Sequence, residues 1–145
     1  MDRISKADRS ANMRAIRSKG TKPEMLVRRL VHGMGFRYRL HRADLPGIPD
    51  LVFAGQRKII FVHGCFWHQH AGCKRSNVPK SRGAYWLPKL ARNVMRDLDS
   101  VRQLNSRGWQ VLVIWECQAA DGDQTRNLIR SFLAASADNS GSDGL

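Results

Sequence analysis

Residues 65–73 read Cys65-Phe66-Trp67-His68-Gln69-His70-Ala71-Gly72-Cys73, which brings two thiols and two imidazoles into one short stretch. A third thiol, Cys117, stands much further along the chain, just past an apolar run that ends at Trp115. Three thiolates and one imidazole make a closed tetrahedral set of the kind that holds Zn2+ structurally, with no position left for a substrate. His70 gives the spacing Cys-x4-His-x2-Cys and His68 gives Cys-x2-His-x4-Cys. Both reach, so spacing alone leaves the fourth ligand open. Three unrelated buried thiols are the plain alternative, but all three cysteines lie outside the periodic apolar faces. With the zinc closed off, chemistry has to come from other residues.

Asp50 is the first candidate. It follows Gly47-Ile48-Pro49 and opens the apolar run Leu51-Val52-Phe53. A carboxylate there suits a hard cation such as Mg2+, which keeps open positions for water and phosphate. Val62 and His63 end the next apolar run, and His68 follows after a short loop, so imidazoles for acid or base work near neutral pH stand close by. A turn residue at a strand start is the competing role for Asp50. Glu24 closes a capping box, Thr21-Lys22-Pro23-Glu24, and that role alone explains it. Asp97 sits inside the apolar stripe of a long helix, three residues after Val94 and four before Val101. Such a carboxylate needs a partner, an active-site cation, or a route to water.

The elements that must position these groups follow from periodicity. Met25, Leu26, Leu30, Val31 and Met34 recur at helical spacing after the capping box, and Gly33 and Gly35 mark the end. Phe36–His41, Asp50–Ala54 and Lys58–His63 read as three strands on short links, hence an antiparallel meander, with a tight turn at Gly55-Gln56-Arg57. Residues 64–85 lack periodicity and are long for an idle loop. Leu87, Leu90, Val94, Leu98, Val101 and Leu104 mark one face of a long helix. Trp109–Trp115 reads as a buried strand and 124–135 as a last helix. The order α, β, β, β, α, β, α lets the fourth strand return in parallel through the intervening helix. The expected fold is therefore α/β, a mixed central sheet flanked by helices. Residues 1–20 are expected to form a mobile basic arm, 21–135 the globular domain, and the small polar residues 136–145 a disordered tail.

Composition narrows the partner. The chain has 145 residues, of which 42% are apolar, enough for one core. It carries 25 Lys and Arg against 12 acidic residues, a net charge of +13. That field draws polyanions, and nucleic acid above all. No apolar run is long enough to span a membrane. Residues 1–17 lack an apolar leader segment, and an odd cysteine count argues against a secreted disulfide framework. A cytoplasmic location and, with no apolar stripe left over, a monomer are expected.

Five ordered blocks resemble the very short patch repair (Vsr) DNA mismatch endonucleases. They are Arg9–Ile16, Leu45–Asp50, Ile60–His68, Trp86 through Asp97, and Gly108 through Cys117. The resemblance runs from about residue 8 to residue 133. It implies a restriction-endonuclease-like core and a strand-specific nick 5′ to the thymine of T:G mismatches left by deamination of 5-methylcytosine. It further implies that Asp50 holds Mg2+, with Val62 contributing its backbone carbonyl. His68 would be the catalytic base, His63 would assist at the phosphate, and Glu24 and Asp97 would support the site. Cys65, His70, Cys73 and Cys117 match the family's zinc ligands. Phe66, Trp67 and Trp86 match aromatics wedged into double-stranded DNA beside the mismatch, with Met13 entering from the other groove and Arg14 beside it on the basic arm. A cytosine-5 DNA methyltransferase and mismatch-repair proteins would be functional partners. Val62 stands where some relatives carry threonine, and Arg92 where they carry lysine. Two other readings compete: a noncatalytic zinc-stabilised DNA-binding module, and a restriction-type endonuclease of the same fold. The first would dispense with Asp50 and His68; the second would cut matched duplexes.

Overall fold

The computed structural model describes residues 20–142. Its elements are α1 (Lys22–Gly33), β1 (Arg39–Leu40), β2 (Leu51–Phe53), β3 (Lys58–His63), α2 (Gly83–Ser106), β4 (Gln110–Trp115), α3 (Glu116–Ala119) and α4 (Gly122–Ser142). The strands form one sheet in the order β1-β2-β3-β4. The β1–β2 and β2–β3 pairs are antiparallel, as short links require, and β3–β4 is parallel across the α2 crossover. The mixed sheet expected from the element order is the sheet observed. The one-turn helix α3 was not foreseen.

Alternation along the strands sorts the core into two layers. Leu51, Phe53, Ile60 and Ile114 pack with Val27 and Val31 of α1, Ala119 of α3, and Ile129 and Leu133 of α4. Val52, Ile59 and Phe61 point the other way, onto Leu45, Trp109 and Leu104 of α2. Lys58 is fully buried on the first face, where its ammonium donates to the Phe132 carbonyl and lies over the Phe132 ring. Burial lowers its pKa.

Several boundaries differ from the sequence reading. The strand expected over Phe36–His41 pairs only at Arg39–Leu40; in that antiparallel register Phe36 and Arg37 would stand opposite Gly55 and Ala54, where the chain has already left the strand for a 3-10 turn over Ala54–Gln56. Phe36 and Tyr38 still pack against the first cluster. Helix α2 starts at Gly83, and its expected apolar face holds at Leu90 and Leu104, which are buried, but not throughout. Leu87 and Leu98 are exposed at 57% and 56%, while Asn93 is buried. Leu104 joins the second core cluster; nearer the N-terminus the inward line carries Asn93 and Asp97, which face a groove rather than the sheet. Tyr85, Leu87, Met95 and Leu98 stay exposed on this helix, so the ground for expecting a monomer falls away. The backbone of α4 is helical to Ser142.

Candidate active site and metal cluster

Three strand ends converge at one edge of the sheet. The β1–β2 register pairs Leu40 with Leu51, and the His41 N–H donates to the Asp50 carbonyl at 3.3 Å. His41 and Asp50 are thus neighbours across the turn that joins their strands. That turn needs Gly47: its φ is +79°, and an added Cβ would stand 3.0 Å from both Phe61 and Ser100. Asp50 is buried, and its Oδ2 accepts from the Val62 N–H at 2.7 Å. Burial raises its pKa to about 7; the Val62 hydrogen bond opposes the rise and the nearby Glu24 charge adds to it.

Glu24 reaches the same edge from the first turn of α1. Its N–H donates to Thr21 Oγ1 at 3.3 Å, one half of the expected capping box. The other half is altered, because Glu24 Oε1 accepts from the Gly20 N–H at 2.8 Å. Glu24 Oε2 then lies 2.9 Å from His41 Nε2 and 3.7 Å from Arg28 Nη1. Neither Glu24 Oε2 nor His41 Nε2 makes a hydrogen bond of acceptable geometry, although both are buried. One ligand atom each from Glu24, His41 and Asp50 lies within 4.8 Å of the others.

His63, His68 and Asp97 form a second group on the same groove. His63 ends β3, on the face turned toward α2. Its ring stacks on His68 with centroids 3.9 Å apart and planes 7° apart. His68 Nδ1 donates to Asp97 Oδ2 at 2.6 Å. That bond assigns the Nδ1 proton and leaves Nε2 as the basic nitrogen, the arrangement a general base needs. Burial pushes His63 down to about 3; the His68 charge lowers it further and Asp97 pulls the other way. His63 is therefore neutral near pH 7, and its buried Nδ1 has no hydrogen-bond partner.

The parallel β3–β4 pair, with His63 opposite Trp115, sends both chains out of the sheet at the same end. Cys65 and Cys117 leave together, and the loop brings in His70 and Cys73. His70 Nδ1 lies 3.7 Å from Cys65 Sγ and 3.4 Å from Cys117 Sγ. A tetrahedral ion with ordinary N and S bond lengths would set such atoms about 3.5 Å apart. Burial pushes the Cys65 thiol up to about 12, so its thiolate needs a cation beside it. The fold places His70, not His68, among the sulfurs. Trp115 joins the two centres: it stacks on His70 at 4.2 Å and meets His63 edge-on at 5.3 Å.

Phe66, Trp67 and Trp86 make a half-buried trio, with ring centroids 5.1–5.5 Å apart. Buried Asn93 donates to the Trp67 carbonyl at 3.0 Å and accepts from Arg96 at 3.2 Å. Met13 and Arg14 lie outside the described residues.

Residues 1–75 match the family model described as DNA mismatch endonuclease Vsr. Over 132 residues the chain is 47% identical to a type II nicking enzyme, V.XorIIP, of Xanthomonas oryzae pv. oryzae, covering 91% of this chain and 96% of the relative. The chain belongs to the Vsr DNA mismatch endonuclease family. It is also 46% identical to the DNA mismatch endonuclease Vsr of Escherichia coli over 77% of this chain and 71% of that one. Among solved structures it resembles the catalytic domain of the homing endonuclease I-Bth0305I, with a TM-score of 0.58 and 22% identity over 81% of this chain and 98% of that domain. The fold is thus restriction-endonuclease-like, and its mixed sheet with flanking helices is the one read from the element order. Among the described residues no helix is long and apolar enough to cross a membrane.

In this Vsr-family chain the donor sets suit two kinds of ion. The Cys3His group suits a soft tetrahedral one. Asp50, with Glu24 Oε2 unsatisfied beside it, suits a hard divalent one. Sequence reasoning missed His41 and Asn93. His41 was legible only through the strand register, one step past Leu40 opposite Leu51. Asn93 signalled itself only as a polar residue three after Leu90, on the same helix face.

Proposed function

We propose that this chain nicks one DNA strand 5′ to the thymine of a T:G mismatch arising from deamination of 5-methylcytosine. The observation that carries the reading is the 2.6 Å bond from His68 to Asp97 on the groove that also holds Asp50. Asp50 and the Val62 backbone carbonyl would hold Mg2+, which when bound supplies charge stabilisation at the scissile phosphate. His68, held by Asp97 through Nδ1, takes the proton of the attacking water at Nε2. Neutral His63, stacked against it, faces the phosphate without adding a competing positive charge. Glu24 closes the carboxylate side of the site. Cys65, His70, Cys73 and Cys117 would hold Zn2+ and fix the loop from which His68 projects; the turn is tied by His68 N–H to Gly64 and His70 N–H to Cys65.

A mismatched step costs less to unstack than a paired one. The Phe66, Trp67 and Trp86 trio offers rings for that gap, with Met13 entering from the opposite groove and Arg14 on a phosphate. Specificity for the surrounding bases follows the cytosine-5 DNA methyltransferase whose products the enzyme repairs, and mismatch-repair proteins act on the same lesions. Its relatives, a mismatch endonuclease and nicking enzymes, support this reading. Mapping the cut with each strand labelled in turn tests it. A single cut beside the thymine is expected. Cutting of both strands, or equal cutting of a matched duplex, would replace it with the restriction-type reading.

A further inference from the structure

We propose that Arg96 is a further catalytic residue of this groove, its guanidinium gripping the scissile phosphate from α2. The proposal rests on the nickase reading and deepens it. Asn93, Arg96 and Asp97 line the groove that also holds Asp50, His63 and His68. Their spacing of i, i+3 and i+4 places all three on one face of the helix.

A phosphate entering this groove meets little fixed positive charge. Asp50 and Asp97 are acids, and burial keeps His63 neutral near pH 7. Among the described residues that line the groove, Arg96 is the one lysine or arginine. The net charge of +13 draws DNA to the surface of the chain. Arg96 is what carries permanent charge inside the groove.

A solvated surface arginine is the ordinary alternative, and two observations set Arg96 apart from it. The first is an anchor. Arg96 Nη2 donates to Asn93 Oδ1 at 3.2 Å. Asn93 is buried, and its Nδ2 donates to the Trp67 carbonyl at 3.0 Å. A carbonyl can only accept, so that bond fixes which way the Asn93 amide turns and presents Oδ1 to Arg96. The second is that Arg96 makes no ion pair among the described residues, although acids stand one and three places further on. Asp97 Oδ2 accepts from His68, and Asp99 pairs with Arg102. The guanidinium therefore spends one donor on its anchor and keeps the others for an incoming anion. A planar fork can take two phosphate oxygens at once. Charge on those oxygens is redistributed as water attacks, and a fixed cation beside them stabilises the transition state.

The test compares full-length wild type, Arg96→Gln and Arg96→Lys, with zinc content and melting temperature as controls for folding. Single-turnover nicking of a T:G duplex with Mg2+ should fall about 10²–10³-fold in Arg96→Gln, with duplex affinity in a gel shift unchanged. Arg96→Lys keeps the charge without the fork and should fall less. A second arm needs no catalysis: binding, in EDTA, to a duplex already nicked beside the thymine, with or without a phosphate at the nick. Wild type should prefer the phosphate-bearing duplex, and Arg96→Gln should lose that preference. Nicking within threefold of wild type in folded Arg96→Gln would overturn the proposal, as would a phosphate preference that is absent from wild type or unchanged in the variant. A loss of duplex affinity as large as the loss of rate would make Arg96 an ordinary backbone contact and overturn it too. An Arg96-dependent phosphate preference in a protein that cuts no duplex would uphold the phosphate site and overturn the nickase reading instead.

Discussion

Asp50 and His63 titrate in opposite senses. Burial holds the Asp50 carboxyl at about 7, so from roughly pH 4 to 7 the native state keeps a proton that the unfolded chain has released, and stability falls as pH rises. His63 is held near 3, so from roughly pH 6.5 down to 3 the unfolded chain takes a proton that the native state refuses, and stability falls as pH drops. Each slope is at most about 1.4 kcal/mol per pH unit. Asp50→Asn removes one of them. Denaturant melts without added divalent cation should then show greater stability at pH 8 and a steeper loss on acidification than wild type; identical profiles would contradict the assignment. Protons also compete with the cation for Asp50. The half-saturating Mg2+ concentration for nicking should rise about tenfold per pH unit below 7. Asp97→Asn loses the acceptor that orients His68. Single-turnover nicking should drop by about 10²–10⁴-fold with DNA affinity unchanged in a gel shift. A rate within threefold of wild type would remove Asp97 from the mechanism. His41 went unread because its nearness to Asp50 depends on pairing register, which the Pro46-Gly47-Ile48-Pro49 turn does not announce.

At the scale of elements, an ion on Cys65, His70, Cys73 and Cys117 would tie two strand ends to the loop that carries His68. Cys117→Ala should lower zinc content and reduce the melting temperature on the order of 10 °C, since a closed four-ligand ion contributes to folding directly. Loss of nicking with zinc content and melting temperature intact would refute that role. Much of this level was legible in the chain. Residues 58–63 form an apolar run, Ile59–Val62, bounded by Lys58 after a tight turn and by His63, so β3 was read to the residue. The α2 crossover dictated the parallel partner. The edges of α2's packed face were not legible: Leu90, Val94, Val101 and Leu104 lie on it with Asp97 among them, but Leu87 and Leu98 of the same period are exposed and Asn93 is buried. Periodicity records that a helix has an apolar side; it does not record that a groove lies opposite.

For the whole molecule, a net charge of +13 favours DNA binding, and the number of phosphates its cations neutralise sets the dependence on salt. Residues 1–19 contribute Arg3, Lys6, Arg9, Arg14, Arg17 and Lys19. Deleting them should flatten the slope of log affinity against log salt by up to about 5; an unchanged slope would exclude the arm from phosphate contact. The central claim is that these centres together make a cation-dependent mismatch nickase. Its most direct test is a nicking assay on a duplex with one T:G mismatch in a methyltransferase-type site, beside a matched duplex, with Mg2+ or with EDTA. The account predicts a cut in the thymine strand of the mismatched duplex only, and only with Mg2+. Binding of both duplexes with no cut in either, across a panel of sequence contexts, would contradict it.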